Sequence, residues 1–69
     1  MAESSQPVEF IPLREVIRMT SLSKPVLYRM MQTGAFPRQV PLSPRRVAWI
    51  RGEVEAWQRA KEVAAREAA

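Results

Sequence analysis

The residues of this 69-residue sequence that could do chemistry are mainly arginines and lysines. The sequence contains no cysteine, histidine or aspartate, so it cannot assemble a Ser-His-Asp triad, a thiol nucleophile or a His/Cys zinc site. Glu53 and Glu55 are near neighbours, but they point to different sides of a predicted helix start, where negative charge is favourable. We therefore predict that the protein is not an enzyme, uses no cofactor or metal, and has no small-molecule substrate.

One set of polar side chains lies on a predicted helix that covers residues 24–33. At 100° per residue, the outward face of this helix carries Lys24, Pro25, Tyr28, Arg29 and Gln32. An arginine can donate two parallel hydrogen bonds to guanine and a glutamine can pair with adenine, so this face could read bases in a major groove. An ordinary solvated face, with Tyr28 half-packed at the edge of the core, would give the same pattern.

A second set of cations lies in two predicted short strands, residues 38–42 and 45–49, which a tight turn at Ser43-Pro44 joins into a hairpin. The hairpin would form a wing that carries Arg38, Arg45 and Arg46. Because Arg45 and Arg46 are adjacent on a strand, they should point to opposite faces, and one could enter a minor groove while the other meets a phosphate. The alternative is an edge strand that its charge protects from aggregation.

The distribution of charge favours a polyanionic partner. Between Phe10 and Gly52, eight basic residues accompany one acid, Glu15, which gives this stretch a net charge of +7 in a chain of +4. Such a segment suggests nucleic acid, although basic residues also occur on many ordinary surfaces. The further candidates for phosphate contacts are Arg14, Arg18 and Ser23. No apolar run approaches the ~20 residues of a membrane span, which predicts that the protein has no membrane partner. The absence of cysteine fits a cytosolic protein better than a small secreted one, and we predict a cytoplasmic, nucleoid-associated protein.

Three helices and the hairpin must position these groups. Apolar residues at helical spacing predict a first helix over residues 13–19 and a third helix from about Gly52. Ser23 and Pro25 are typical of a helix start and Gly34 of a helix end, so they bound the second helix. Pro41 lacks a donor for the sheet, which predicts that the first strand of the hairpin lies at an edge.

The predicted core uses the apolar side chains of these elements. We predict that Trp57 is largely buried and anchors the third helix. The other predicted core residues are Val26, Leu27, Met30, Met31 and Trp49. Met30, Met31, Trp49 and Trp57 could also suggest a ligand pocket, but their helix and strand spacing favours the core. The fold class that follows is mainly α with a small β-hairpin, a winged helix-turn-helix. Residues 1–8 are predicted to be a flexible tail, and residues 9–69 one domain whose last residues fray.

The segment from Leu22 to Pro37, LSKPVLYRMMQTGAFP, resembles the AlpA family of prophage-type regulators. Residues 40–49 and 53–57 continue the resemblance in register. It implies a winged helix-turn-helix related to the MerR and excisionase groups, with Lys24, Tyr28 and Arg29 on the recognition helix and Arg45 on the wing. The sequence departs from the usual pattern at three positions, where the family often has Gly, Ser and a small residue: Ser43, Gly52 and Arg46.

These observations predict sequence-specific binding of duplex DNA by a bacterial or prophage transcriptional regulator. Two alternatives remain open, an excisionase-like architectural factor that assists an integrase and a basic module that binds an acidic protein. One domain of this size covers only about 600–1,000 Å² on DNA. Further copies of the chain on adjacent sites, or an integrase or recombinase, are therefore the expected protein partners.

Overall fold

A computed structural model describes residues 8–68, and three α-helices and a three-stranded antiparallel sheet account for most of them. The elements in chain order are β1 (Phe10–Ile11), α1 (Leu13–Thr20), α2 (Lys24–Gln32), β2 (Val40–Ser43), β3 (Arg46–Ile50) and α3 (Arg51–Ala68). This arrangement confirms the predicted winged helix-turn-helix class. The predicted N-terminal tail lies outside the described residues, apart from Val8.

The sheet has the order β1-β3-β2, so the hairpin prediction captured two of its three strands. The short strand β1 pairs with β3 through Phe10 opposite Ile50 and Ile11 opposite Trp49. Two residues are too few to show an alternating pattern, which is why the sequence did not reveal this strand. Strand β2 lies at the edge, as Pro41 predicts.

The turn of the hairpin differs by one residue from the prediction. Pro44 and Arg45 form the turn, and β3 starts at Arg46, which pairs with Ser43 after a register irregularity. The fixed φ of proline suits the second position of a four-residue turn, so Ser43 becomes the first position rather than part of the bend. Arg45 therefore lies in the turn and not on a strand, and Arg38 precedes β2.

The turn between α1 and α2 is fixed by local hydrogen bonds. Ser21 takes a left-handed conformation with φ of 63° and donates its backbone N–H to the carbonyl of Ile17 at 2.8 Å. The Thr20 hydroxyl donates to the carbonyl of Val16 at 2.8 Å and accepts from the backbone N–H of Leu22 at 3.2 Å. Ser23 occupies the predicted N-cap position, although its side chain makes no capping hydrogen bond within the described residues.

The end of α2 follows the prediction from Gly34. Its φ of 80° allows its own N–H to reach the carbonyl of Met31 at 3.3 Å, while the N–H of Ala35 reaches that of Met30 at 2.8 Å. This pair of bonds is a Schellman motif, which needs a left-handed residue at this position.

Replacing Gly34 by Ala should lower the free energy of unfolding by about 1 kcal/mol, because an L-residue is strained at this φ. No atom lies within 4 Å of the added Cβ, so the loss is purely conformational. Gly52 is the matched control, since a Cβ there also meets nothing within 4 Å, but this residue lies in α3. Gly52→Ala should therefore stabilise by about 0.5–1 kcal/mol. Urea unfolding of both variants would contradict this account if the two changes had the same sign.

The core lies between the helices and one face of the sheet. Its buried side chains are Ile11, Val16, Leu27, Met31, Phe36, Trp49 and Val54. The prediction that Trp57 is largely buried is wrong, because Val54 inserts one turn earlier and leaves Trp57 half-buried at the edge. Trp57 packs edge-on against Phe36 with ring centroids 4.9 Å apart, and its indole N–H donates to the carbonyl of Ala35 at 2.7 Å.

The third helix begins one residue before the predicted Gly52 and continues through Ala68. Its first half is held to the rest of the molecule by Trp57 and by Gln58, whose amide donates to the carbonyl of Met19 at 2.7 Å. Its last two turns are exposed and carry an ion pair between Glu62 and Arg66 at 2.9 Å. No helix within residues 8–68 is both long and apolar enough to cross a membrane.

Candidate nucleic-acid interface

The outward face of α2 presents most of the side chains that the sequence identified. Lys24, Pro25, Arg29 and Gln32 are exposed, whereas Leu27 and Met31 on the opposite side are buried. The N-cap residue Ser23 is also exposed, at the end where Lys24 begins the helix. The helix therefore separates into a buried apolar side and an exposed polar side, as its sequence pattern predicts.

Tyr28 joins this polar side to the core. It is half-buried, and its ring meets that of Trp49 edge-on with centroids 6.5 Å apart. The ammonium of Lys24 lies 5.8 Å from the centre of the Tyr28 ring, close enough for a cation–π contact. Tyr28 is consequently less outward than its helical position predicts, and Lys24 and Arg29 are the more exposed cations of this helix.

A cleft of about 290 Å³ separates α2 from the beginning of β2. Its lining residues are Tyr28, Met31, Gln32, Arg38, Gln39 and Pro41. Four of these six side chains can donate hydrogen bonds, and none of the six is acidic. The cleft thus brings Arg38 of the hairpin to the same place as Tyr28 and Gln32 of the helix.

Three of the lining residues are absent from the candidate site residues that the sequence pattern indicated: Met31, which was predicted for the core, Gln39 and Pro41. Gln39 and Pro41 lie in the predicted strand 38–42, and they are two positions apart, so the alternation of a strand puts them on one face. The polar type of Gln39 alone gave no reason to choose it.

The other hairpin cations lie at the tip of the wing. Arg45 occupies the turn and Arg46 begins β3, and both side chains are exposed. The prediction that Arg45 and Arg46 point to opposite faces assumed that both lie on one strand. A turn residue and a strand residue need not point to opposite faces. Arg45 therefore has more freedom of direction than the predicted strand position would give it.

Two cations of the basic stretch have acidic partners. Arg18 donates two hydrogen bonds to the Glu15 carboxylate, at 2.9 and 2.6 Å, and these bonds are the largest cause of the lowered pKa of Glu15. Arg51 pairs with Glu9 at 2.9 Å and with Glu15 at 3.6 Å, and the hydrogen bond to Glu9 is the main reason that the pKa of Arg51 is raised. Arg18 and Arg51 consequently add less to the positive surface than their number in the sequence suggests, whereas Arg14 is exposed on α1.

Comparison with known proteins places this arrangement in a family. Residues 9–62 match the family described as prophage CP4-57 regulatory protein (AlpA). A phage protein described as uncharacterized protein ORF88, from Enterobacteria phage P4, is 40% identical over 48 residues. That match covers 70% of this chain and 54% of the phage protein, so the chain spans about half the length of this relative. From the profile match over residues 9–62, the chain belongs to the AlpA family of prophage regulatory proteins.

Proposed function

We propose that this protein binds duplex DNA in a sequence-specific manner and acts as a transcriptional regulator of a bacterium or prophage. The observation that carries the proposal is the cleft, which has the polar side of α2 on one flank and the cationic hairpin on the other. A helix of this kind fits a major groove, and a basic hairpin beside it fits the neighbouring backbone or minor groove. Membership of a prophage regulatory family supports the same proposal.

The proposed mechanism is positioning without chemistry. Lys24, Tyr28 and Gln32 contact base edges, and Arg29, at the flank of this face, contacts a base edge or a phosphate. Arg38, Arg45 and Arg46 contact the backbone from the hairpin. Arg14 and Ser23 provide further phosphate contacts. Arg18 does so if its ion pair with Glu15 is replaced by a contact with a phosphate. Because a single domain covers little DNA, further copies on adjacent sites or a recombinase would supply the remaining affinity.

Selection of bound sites from random duplex, followed by binding measurements at several salt concentrations, tests this proposal. Affinity should fall steeply with salt, because phosphate contacts release counterions. Arg45→Ala and Arg46→Ala should each weaken binding to selected and random duplex alike and reduce the salt slope by about 0.9 for each lost contact. Arg66→Ala is the control, since it removes the same charge from the far end of α3.

Each outcome of these measurements selects one function. Selected sites near promoters support the regulator, and bending of DNA beside an attachment site would indicate the excisionase-like factor instead. Salt-sensitive binding to an acidic protein, with no binding to duplex, would replace the proposal by the protein-interaction module. Duplex binding that is unchanged between low and physiological salt would contradict the proposed contacts.

A further inference from the structure

Two buried polar atoms near the cleft have no hydrogen-bond partner among residues 8–68. They are the amide oxygen Oε1 of Gln39 and the indole nitrogen Nε1 of Trp49. One is an acceptor and the other a donor, so their chemistry is complementary. A buried polar group without a partner is unfavourable, and its presence in a small core calls for a reason.

The register of the hairpin, extended one residue beyond the start of β2, would set these two residues opposite each other. Val40 pairs with Ala48 and Pro41 with Val47, so the same register continued by one residue places Gln39 opposite Trp49. Directly opposed residues share a face of the sheet, with their Cβ atoms about 4.5–5.5 Å apart. Trp49 is completely buried, and Gln39 is half-buried.

The position of Gln39 opposite Trp49 determines which end of the Gln39 amide faces the cleft. If its oxygen accepts from the Trp49 N–H, its NH₂ group is directed away from Trp49, and the cleft is the open space that Gln39 lines. The reverse orientation would set the NH₂ group against the indole N–H, two donors facing each other. Although neither atom has a partner within residues 8–68 of the structure, this hydrogen bond, once formed in solution, orients Gln39 as a donor toward the cleft.

The cleft then presents a consistent set of donors. Arg38 supplies a guanidinium and Gln39 an NH₂ group, and no carboxylate is among the lining residues. Charged and neutral donors that converge without an acid suit an anion with several oxygens, such as a phosphate. Since α2 and the hairpin flank the cleft, the phosphate of a duplex backbone can reach it when both elements contact DNA.

We propose that the cleft between α2 and β2 binds one backbone phosphate of the duplex, with Gln39 as a donor that Trp49 holds in place. This inference rests on the proposed function and adds a specific site to it. It assigns Gln39 a contact and Trp49 a positioning role in addition to its place in the core.

The test combines protein variants with duplexes that carry a single uncharged methylphosphonate at successive backbone positions. For the parent, neutralising one particular phosphate should weaken binding about tenfold, the size expected for a lost charge-assisted hydrogen bond. For Gln39→Glu, binding to the unmodified duplex should fall by at least as much, and the same methylphosphonate should then cost nothing. Gln39→Leu, which removes the donor without adding charge, should also lose sensitivity at that position.

Ala64→Glu is the charge-matched control, because Ala64 is exposed near the end of α3. It should keep the parent's profile of methylphosphonate effects. The site assignment is overturned if Gln39→Glu and Ala64→Glu weaken binding equally and both keep the parent's profile. If the parent itself binds no duplex, the proposed function fails and the site fails with it. If the parent binds duplex but the variants keep its profile, only the site assignment fails, so the two failures are distinguishable.

Two-dimensional ¹H–¹⁵N NMR tests the positioning role of Trp49. Gln39→Leu should shift the Trp49 indole resonance and accelerate its hydrogen exchange in the free protein. In the parent, duplex should shift the Gln39 NH₂ resonances, and inorganic phosphate at equal phosphate concentration should not. If Gln39→Leu leaves the Trp49 indole resonance unchanged, the positioning role is overturned. If inorganic phosphate shifts the Gln39 NH₂ resonances as much as duplex does, the cleft is assigned to a free anion.

Discussion

Trp49→Ala should leave the protein largely unfolded at room temperature. Trp49 has no exposed surface and lies at the centre of the sheet, opposite Ile11 and edge-on to Tyr28. Truncating a buried aromatic residue typically costs about 3–5 kcal/mol. That is comparable to the whole stability of a domain this small, for which marginal values near the low end of about 5–15 kcal/mol are expected. Circular dichroism and urea unfolding would measure the loss.

Trp57→Ala provides the comparison for this result. Trp57 is half-buried, and it loses its contact with Phe36 and one hydrogen bond to the carbonyl of Ala35. The loss should be smaller, about 1–3 kcal/mol, so this variant should remain folded with a lower midpoint. A larger loss for Trp57→Ala than for Trp49→Ala would contradict a core centred on Trp49.

The contrast between the two tryptophans shows that local sequence patterns do not predict which of two apolar residues is more deeply buried. Both occupy apolar positions of regular elements, and nothing local distinguishes them. Their burial depends on how β3 and α3 pack, which is set by contacts between distant residues. The start and end of α2, by contrast, were predictable, because Pro25 and Gly34 act through their own backbone conformations.

The same division applies to the candidate interface. The polar side of α2 follows from helical periodicity within nine residues, so the sequence located it. The cleft depends on the register between β2 and β3 and on the approach of the hairpin to the helix, which no local pattern encodes. Charge counting had a similar limit, because Arg51 meets Glu9, 42 residues away in the chain.

The polar side of α2 should carry the sequence preference of the protein. If α2 enters a major groove, a lost base contact should cost about 1–3 kcal/mol on the selected site and relax the preference at one base pair. A lost phosphate contact should instead weaken selected and random duplex by similar factors. The ratio of the two affinities therefore separates base contacts from backbone contacts.

The variants for this measurement follow from the packing of each side chain. Lys24→Ala and Arg29→Ala remove exposed groups that leave the core intact. Tyr28→Phe is preferable to Tyr28→Ala, because the ring packs against Trp49 and only the hydroxyl should be tested. Lys61→Ala is the control, since it removes a cation that lies 5.7 Å from the Trp57 ring on α3 and far along the chain from α2.

We expect Lys24→Ala or Tyr28→Phe to reduce the ratio of selected to random affinity by about tenfold, which corresponds to about 1.4 kcal/mol. Arg29 lies at the flank of the polar side and can hold a phosphate, so Arg29→Ala should weaken both duplexes with a smaller change in the ratio. Lys61→Ala should leave the ratio unchanged. If Lys24→Ala, Tyr28→Phe and Arg29→Ala all bind both duplexes as the parent does, α2 is not the recognition helix, and the basic protein-interaction module becomes the better account.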